Sequence, residues 1–252
     1  MPGTYSAGFD RISRTANAPF LVAGATVLDS GIFGRSVVAG SSGANYTVTL
    51  PGSGPVNSVV EIIVPAANAF VVTLSAAALI DGAATQAMLA SESALLLWNG
   101  TTYTKIGGRS IPCVCYLQAN SSQSCASATS VFWSLQNVIT NIGAMADVGN
   151  NRVIARRAGN YDCQGYFSLN SGFVANSART FLGIQKNSSI IEIGDERAFT
   201  VSNDFQMSIG GVVNMAVGND VRGFVYHVSG ITLSTDNTNY KNRLIVTELS
   251  PW

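Results

Sequence analysis

Apolar and polar residues alternate with period two through most of this chain, and no helical period is sustained anywhere. The alternation is plainest between Phe205 and Tyr226, FQMSIGGVVNMAVGNDVRGFVY. Met207 and Ile209 open one strand, Gly210-Gly211 breaks its rhythm, and Val213, Met215 and Val217 resume it. Gly218-Asn219-Asp220 is a turn signal, after which Val221, Gly223 and Val225 alternate with Arg222, Phe224 and Tyr226. The pattern predicts a half-buried β-hairpin, and the paired glycines predict a bulge or the close approach of another backbone.

Upstream, residues 1–25 keep no steady period and mix Gly, Ser, Arg and Pro, which predicts an extended arm ordered by a partner or by neighbouring subunits. Short strand signals follow at even spacing: Asn45 to Leu50, Val59 to Val64, Phe70 to Leu74, Leu95 to Trp98 and Thr102 to Ile106. The last two flank Asn99-Gly100, a strong hairpin signal. Ala76 to Ser93 is alanine-rich and open to helix by propensity, although Gly82, Thr85 and the flanking strands favour β structure. Gly107-Gly108, with Arg109, Ser110 and Pro112, marks a domain boundary, so the expected organisation is an arm over 1–25, a small β domain over 26–108 and a larger one over 112–252. In the larger domain Cys113, Cys115 and Leu117 share a face. Strands are predicted at Val131 to Leu135, Arg152 to Ala155, Tyr161 to Leu169, Thr180 to Gln185, Ile190 to Ile193 and Asn242 to Leu249. Eight or more strands over about 140 residues without a helix fit a β-sandwich or jelly roll. The fold class is all-β.

Composition narrows the function. Of 252 residues, 47 % are hydrophobic and only 11 % charged, with a net charge of zero. Disorder over the whole length is disfavoured by that apolar content. Scattered basic residues without an excess argue against binding nucleic acid. So few charges leave Ser, Thr, Asn and Gly to cover the surface, or an oligomer to bury it. The N-terminus carries no apolar signal core. The uncharged run Ile62 to Ile80 contains Pro65, Asn68, Thr73 and Ser75 and reads as two buried strands rather than a membrane span, so no membrane insertion is expected.

Several stretches of the larger domain resemble the jelly rolls of tumour necrosis factor and the complement globular heads. Gly159-Asn160-Tyr161 resembles their GxY step before a strand. Arg179-Thr-Phe-Leu-Gly-Ile-Gln-Lys-Asn187 resembles their Lys-Asn-Gly hairpin, with Ser188 in place of the glycine. Val213 to Val221 is similar to their apolar Gly-Asp-Val turn, with Asn219 inserted, and Asn242 to Leu249 to their closing strand. More weakly, Leu95 to Ile106 resembles bacteriophage fibre modules, Tyr103 standing where those carry Trp. The resemblance implies a homotrimeric tail fibre or spike of a virion, assembled in the host cytoplasm. Its arm would bind other virion proteins and its head a host-surface glycan or protein. A capsid decoration or head-fibre protein is the alternative. In trimers similar to tumour necrosis factor, aromatics of the corresponding sheet meet near the axis, so Phe224 and Tyr226 are expected at the trimer interface, with Val221, Gly223 and Val225 in the core.

Candidate chemistry is sparse. His227 is the only histidine and falls at an expected loop edge, where a surface or interface role outweighs catalysis. Cys113, Cys115, Cys125 and Cys163 match no zinc-ribbon spacing. A Cys125–Cys163 or Cys115–Cys163 disulfide is open, and free core thiols are favoured, the more so for a virion protein made in a reducing compartment. Glu192, Asp195 and Glu196 form the one carboxylate cluster, read as a solvated loop with calcium as the minor option. No cofactor, no metal and no catalytic residue is expected, and the chain reads as a non-enzyme.

Overall fold

A computed structural model of the chain divides into two compact units, Met1–Arg109 and Ser110–Trp252. It describes residues 18–68, 70–169, 178–188, 190–199, 205–235 and 242–252. Of the arm expected over 1–25, residues 1–17 lie outside the described residues, and Phe20–Val22 is already the first strand.

In the first unit, β1 (Phe20–Val22), β2 (Thr26–Val27), β3 (Ser36–Ala39), β4 (Tyr46–Leu50), β5 (Ser58–Ile63) and β6 (Val72–Ile80) pair in parallel as two interleaved series, β1–β3–β5 and β2–β4–β6. Each passage of the chain thus lays one strand on either side and steps up one rung, which is the stacking of a short β-solenoid. The antiparallel strands β7 (Ala83–Met88), β8 (Ser93–Trp98) and β9 (Tyr103–Arg109) follow, pairing β7 on β6, β8 on β5 and β9 on β8. Inward positions stack in columns: Val37, Ile62 and Ala94 lie in register and are fully buried, as are Val48 over Leu74 and Val60 beside Leu96. Asparagines tie the rungs at a corner. The buried Asn68 amide donates to the carbonyls of Ala39 (3.3 Å) and Gly40 (3.4 Å), and Asn45 Oδ1 accepts from Val71 N at 2.9 Å.

The alanine-rich stretch is two strands, β6 and β7. Asp81 and Gly82, at φ +46° and +81°, make a two-residue turn between the paired Ile80 and Ala83, and positive φ at both positions is what a type I′ hairpin requires. The Asn99-Gly100 hairpin works differently. Only Gly100 takes positive φ, and Asn99 Oδ1 closes the loop by accepting from Thr101 N (2.9 Å) and Thr102 N (2.7 Å). Gly107-Gly108 lies inside β9; a Cβ on Gly108, at φ +119°, would fall 2.2 Å from the Ser93 carbonyl oxygen. The run Ile62 to Ile80 forms the end of β5 and β6, and among the described residues no helix is long and apolar enough to cross a membrane.

The second unit contains β10 (Val114–Gln118), β11 (Ser124–Cys125), β12 (Val131–Phe132), β13 (Asn137–Ile142), β14 (Ala146–Asp147), β15 (Arg152–Ile154), β16 (Gly159–Leu169), β17 (Ala178–Lys186), β18 (Ile190–Phe199), β19 (Phe205–Met215), β20 (Asp220–His227), β21 (Leu233–Ser234) and β22 (Arg243–Glu248). Two antiparallel sheets result, ordered β13-β10-β22-β16-β19 and β14-β15-β20-β17-β18, with β12 also on β20 and the short β11–β21 pair apart. The chain repeatedly crosses between the sheets, at β15 to β16, β16 to β17, β18 to β19 and β19 to β20, which is jelly-roll topology.

That crossing overturns the hairpin expected at Phe205 to Tyr226. Both strands exist, but β19 pairs with β16 and β20 with β15, β17 and β12, so they belong to opposite sheets. The Gly218 turn carries the chain across instead: Gly218 N donates to Ala155 O at 2.9 Å, and Ala155 N to Asn219 O at 2.8 Å. No bulge occurs at Gly210-Gly211, because the β16–β19 register runs unbroken from Gly159↔Met215 to Leu169↔Phe205. Gly211 makes room for the Ile193 side chain, which a Cβ would meet at 3.1 Å.

The centre of this unit is Trp133, 1 % exposed, in the segment after β12. Its indole lies against Gly223 of β20 in one sheet and Gly165 of β16 in the other, where added Cβ atoms would approach to 2.2 and 2.6 Å. It stacks on Phe167 at 5.5 Å, and its amide donates to the Gly223 carbonyl at 3.0 Å. A buried ion pair ties the first and last strands of the unit together. Glu248 Oε2 accepts from Arg157 (2.8 Å) and from Cys113 N (2.9 Å), Arg157 also donates to the Ile111 carbonyl, and Tyr161 Oη donates to Arg157 O at 2.9 Å. Replacing Gly223 with alanine overpacks the indole and is expected to cost about 1–3 kcal/mol, whereas Gly159→Ala, with open space at its Cβ, is expected to be close to neutral. Urea titrations monitored by tryptophan fluorescence check the difference.

Candidate interaction site

Each sheet of the jelly roll turns one face inward, and the residues left over define its outer faces. On the β13-β10-β22-β16-β19 sheet, Cys115, Val246 and Cys163 point into the core in one register row. Their strand neighbours face outward: Tyr116, Ile245 and Gln164 form one row, and Val114, Thr247, Asp162 and Val212 the next. These side chains are half-exposed, Val212 60 % exposed. A polar chain runs along β16 through the middle of this face. Gln164 Nε2 donates to Asp162 Oδ2 at 2.8 Å, Tyr166 Oη donates to Gln164 Oε1 at 3.3 Å, and the Arg243 guanidinium lies 4.0 Å over the Tyr166 ring. The edge strand β13 adds Ile142, in register with Val114 and 42 % exposed. The result is a broad, mixed apolar and hydrogen-bonding surface of the kind that protein interfaces use.

Phe224 and Tyr226 lie on the outer face of the other sheet. Val221 and Val225 are buried and Gly223 lies under Trp133, so the inward set is as the alternation reads. The exposed aromatic pair is not there, however. Phe224 is 3 % exposed, because Gly183 lets its ring lie flat on β17 and Phe181 packs beside it at 5.7 Å. Phe132 pairs with Phe224 and is capped by Arg222 at 4.8 Å. Phe224 therefore does not form the exposed aromatic patch expected with Tyr226, which remains half-exposed. The glycines opposite this strand were the missed signal, since alternation says which way a side chain points and nothing of what covers it.

His227 is fully buried rather than at a loop edge. Its Nε2 donates to the Cys125 carbonyl at 2.9 Å, and its Nδ1 meets Ser229 Oγ at 3.0 Å. With Ala128 N donating to His227 O and Gly230 N to Ser127 Oγ, the ring clamps the segment after β11 to the end of β20. A serine beside a histidine invites comparison with a hydrolase triad, but the other ring nitrogen donates to a backbone carbonyl and not to a carboxylate, so the orienting third member of a triad is not in place.

All four cysteines are free and buried. Burial pushes the thiols of Cys113, Cys115 and Cys163 up to about 12 and that of Cys125 up to about 11. Cys115 and Cys163 both pair with Val246 from opposite sides, so two strand spacings, roughly 9–10 Å, separate their backbones, beyond disulfide reach. Glu192, Asp195 and Glu196 sit on the edge strand β18 and not in a loop. Each faces a base: Lys186 (3.5 Å), Arg197 (2.9 Å) and Arg179 (3.5 Å) respectively. Charges on an exposed edge discourage unwanted strand pairing. Among the described residues no three His, Cys, Asp or Glu side chains gather as metal ligands would.

No family model and no curated protein matches the chain. Among solved structures it is similar to the globular domain of a zebrafish complement 1qA protein, at 9 % identity and a TM-score of 0.38, over 56 % of this chain and 99 % of that one. The jelly-roll assignment rests on the strand order itself.

Two outcomes follow from these positions. Phe224→Ala is expected to cost about 3–5 kcal/mol of folding stability, the usual range for a buried phenylalanine, and Tyr226→Ala much less; thermal melts of the two variants give the comparison. The four thiols should resist a thiol reagent at pH 8 until the chain is denatured. Their folded values lie above the ordinary 9.0, so their contribution to stability is complete below pH 9 and is lost as pH rises towards 12, where the unfolded chain releases protons the folded one retains. Denaturant midpoints that stay level from pH 8 to 11 would contradict that.

Proposed function

We propose that this chain is a non-enzymatic structural protein of a bacteriophage particle, a homotrimeric fibre or spike whose jelly-roll unit is the adsorption head. The observation that carries the reading is the outer face of the β13-β10-β22-β16-β19 sheet. Half-exposed Val114, Tyr116 and Ile245, with Tyr166 and Val212, give a solvated monomer more apolar surface than its few charges can offset, and association buries it. Three copies brought together present three heads at high effective concentration, so weak contacts with a repeated host-surface glycan or protein add up. The non-enzymatic reading is supported by what occupies the reactive side chains: His227 is a clamp, the thiols are core, and the β18 carboxylates are ion-paired. The solenoid unit suits the part between head and particle, because stacked rungs give a stiff element of modest sequence demand. The stretch that precedes β1 is assigned to virion attachment.

Immunogold labelling of purified particles, together with light scattering of the purified chain, tests this. The expected result is label at the tips of fibres or spikes and a solution mass three times the 26.3 kDa of one chain. Label spread over the shell would move the assignment to capsid decoration, and a monomer would remove the association on which the reading stands. Tyr116→Asp combined with Ile245→Asp should abolish association of the heads while leaving the unit folded.

A further inference from the structure

We propose that the outer face of the β14-β15-β20-β17-β18 sheet carries a carbohydrate platform: Phe181 and Tyr226 stack on the apolar face of a neutral pyranose, and Glu196 and Arg179 bind its hydroxyls. The inference deepens the adsorption reading above and rests on it for which face looks outward, since there the other sheet meets neighbouring copies. Register sets the platform. Tyr226, Phe181 and Glu196 lie side by side in one outward row across β20, β17 and β18, and Arg179 faces Glu196 at 3.5 Å. Phe181 and Tyr226 are half-exposed, and Glu196 and Arg179 are exposed. The next row is Phe132, Phe224, Gly183 and Gly194. Gly183 and Gly194 pair directly, and neither has a positive φ, so backbone conformation does not call for glycine at either place. Space for rings does: a Cβ on Gly194 would fall 2.4 Å from Phe181 Cζ, and one on Gly183 2.3 Å from Phe224 Cε1. Phe181 therefore lies along the sheet over Gly194, with Phe224 packed beside it at 5.7 Å and Phe132 held under Arg222. A ring in that pose turns a face to solvent rather than an edge.

The ligand class follows from what surrounds the rings. An aromatic face is the negative side of the ring quadrupole, and it attracts the weakly positive C–H bonds that cover one face of a pyranose. The rim of such a sugar is hydroxyl, each group both donor and acceptor, which suits a carboxylate and a guanidinium side by side. Two half-exposed rings, with exposed Val228 just past β20, fall far short of the roughly 800 Å² per partner that a stable protein interface buries. A nucleobase would stack as well, but it brings phosphates towards the Glu196 carboxylate. A platform of two rings binds one sugar weakly, and repetition across three heads raises the avidity.

The test applies the full chain to an array of bacterial capsular and lipopolysaccharide oligosaccharides, with light scattering and circular dichroism of every sample. The unmutated chain should bind at least one glycan. Tyr226→Ala, and Phe181→Leu, which keeps an apolar cover on Phe224, should each lower that binding about tenfold, the scale of one lost ring contact, and Tyr226→Phe should keep most of it. Glu196→Gln should weaken it as well, and all four variants should keep the mass and the circular dichroism of the unmutated chain. No binding above background by the unmutated chain, or binding that Tyr226→Ala and Phe181→Leu leave intact, overturns the inference; a trimeric mass in the same sample leaves the trimer reading standing. A trimer that falls apart on Tyr226→Ala assigns this face to contacts between copies and overturns the inference too. An unmutated chain that is a monomer overturns the trimer reading, and loss of its glycan binding on Tyr226→Ala would still support the platform.

Discussion

The larger unit depends on one side chain placed between two sheets. Trp133 is wider than the gap a sandwich core usually leaves, and it fits because the strands on either side give way to glycine: Gly165 below it and Gly223 above. The indole thereby sets the spacing of the sheets, and its backbone bond to Gly223 fixes where the segment after β12 crosses the sandwich. The same device recurs on the outside, where Gly183 and Gly194 let Phe224 and Phe181 lie flat on the sheet. In both places a glycine that looks like a weak point in a strand is the receptor for an aromatic ring. The Arg157–Glu248 pair then secures the ends of the unit, because a charge at 1–2 % exposure cannot lose its partner without a large desolvation penalty.

Much of this was legible in the sequence, and the boundary between what was and was not is physical. Alternation located β4, β8, β16, β17 and β22, because burial of one face imposes period two on any strand. Alternation is blind to the identity of the neighbouring strand, so β19 and β20, adjacent in sequence with a turn between them, read as a hairpin although they sit in different sheets. It is also blind to direction, so the parallel rungs of the first unit read as ordinary short strands. A weak repeat was available there: Ser36-Val-Val returns as Ser58-Val-Val, and Val48-Thr-Leu as Val72-Thr-Leu. The alanine-rich stretch was ambiguous because alanine favours helices while the Asp81-Gly82 turn and the buried Ile80 and Met88 favour a hairpin, and long-range burial won.

For the functional surface the sequence supplied the residue types and not the coverage. Phe224 was the more conspicuous aromatic, but its neighbours enclose it; Tyr116 and Ile245, unremarkable in the sequence, are left half-exposed on the outer face of their sheet. The single histidine and the four cysteines were candidates for chemistry only while their burial was unknown. With the histidine and thiols engaged in the core and one outer face left both apolar and hydrogen-bonding, association with other copies is the role we propose.

The most direct measurement of that claim is an electron cryo-microscopy reconstruction of the purified full-length chain. The account requires three jelly-roll units around one axis with Tyr116 and Ile245 turned toward neighbouring copies. A single unassociated chain, or an assembly in which the β13-β10-β22-β16-β19 face looks out into solvent, would contradict it.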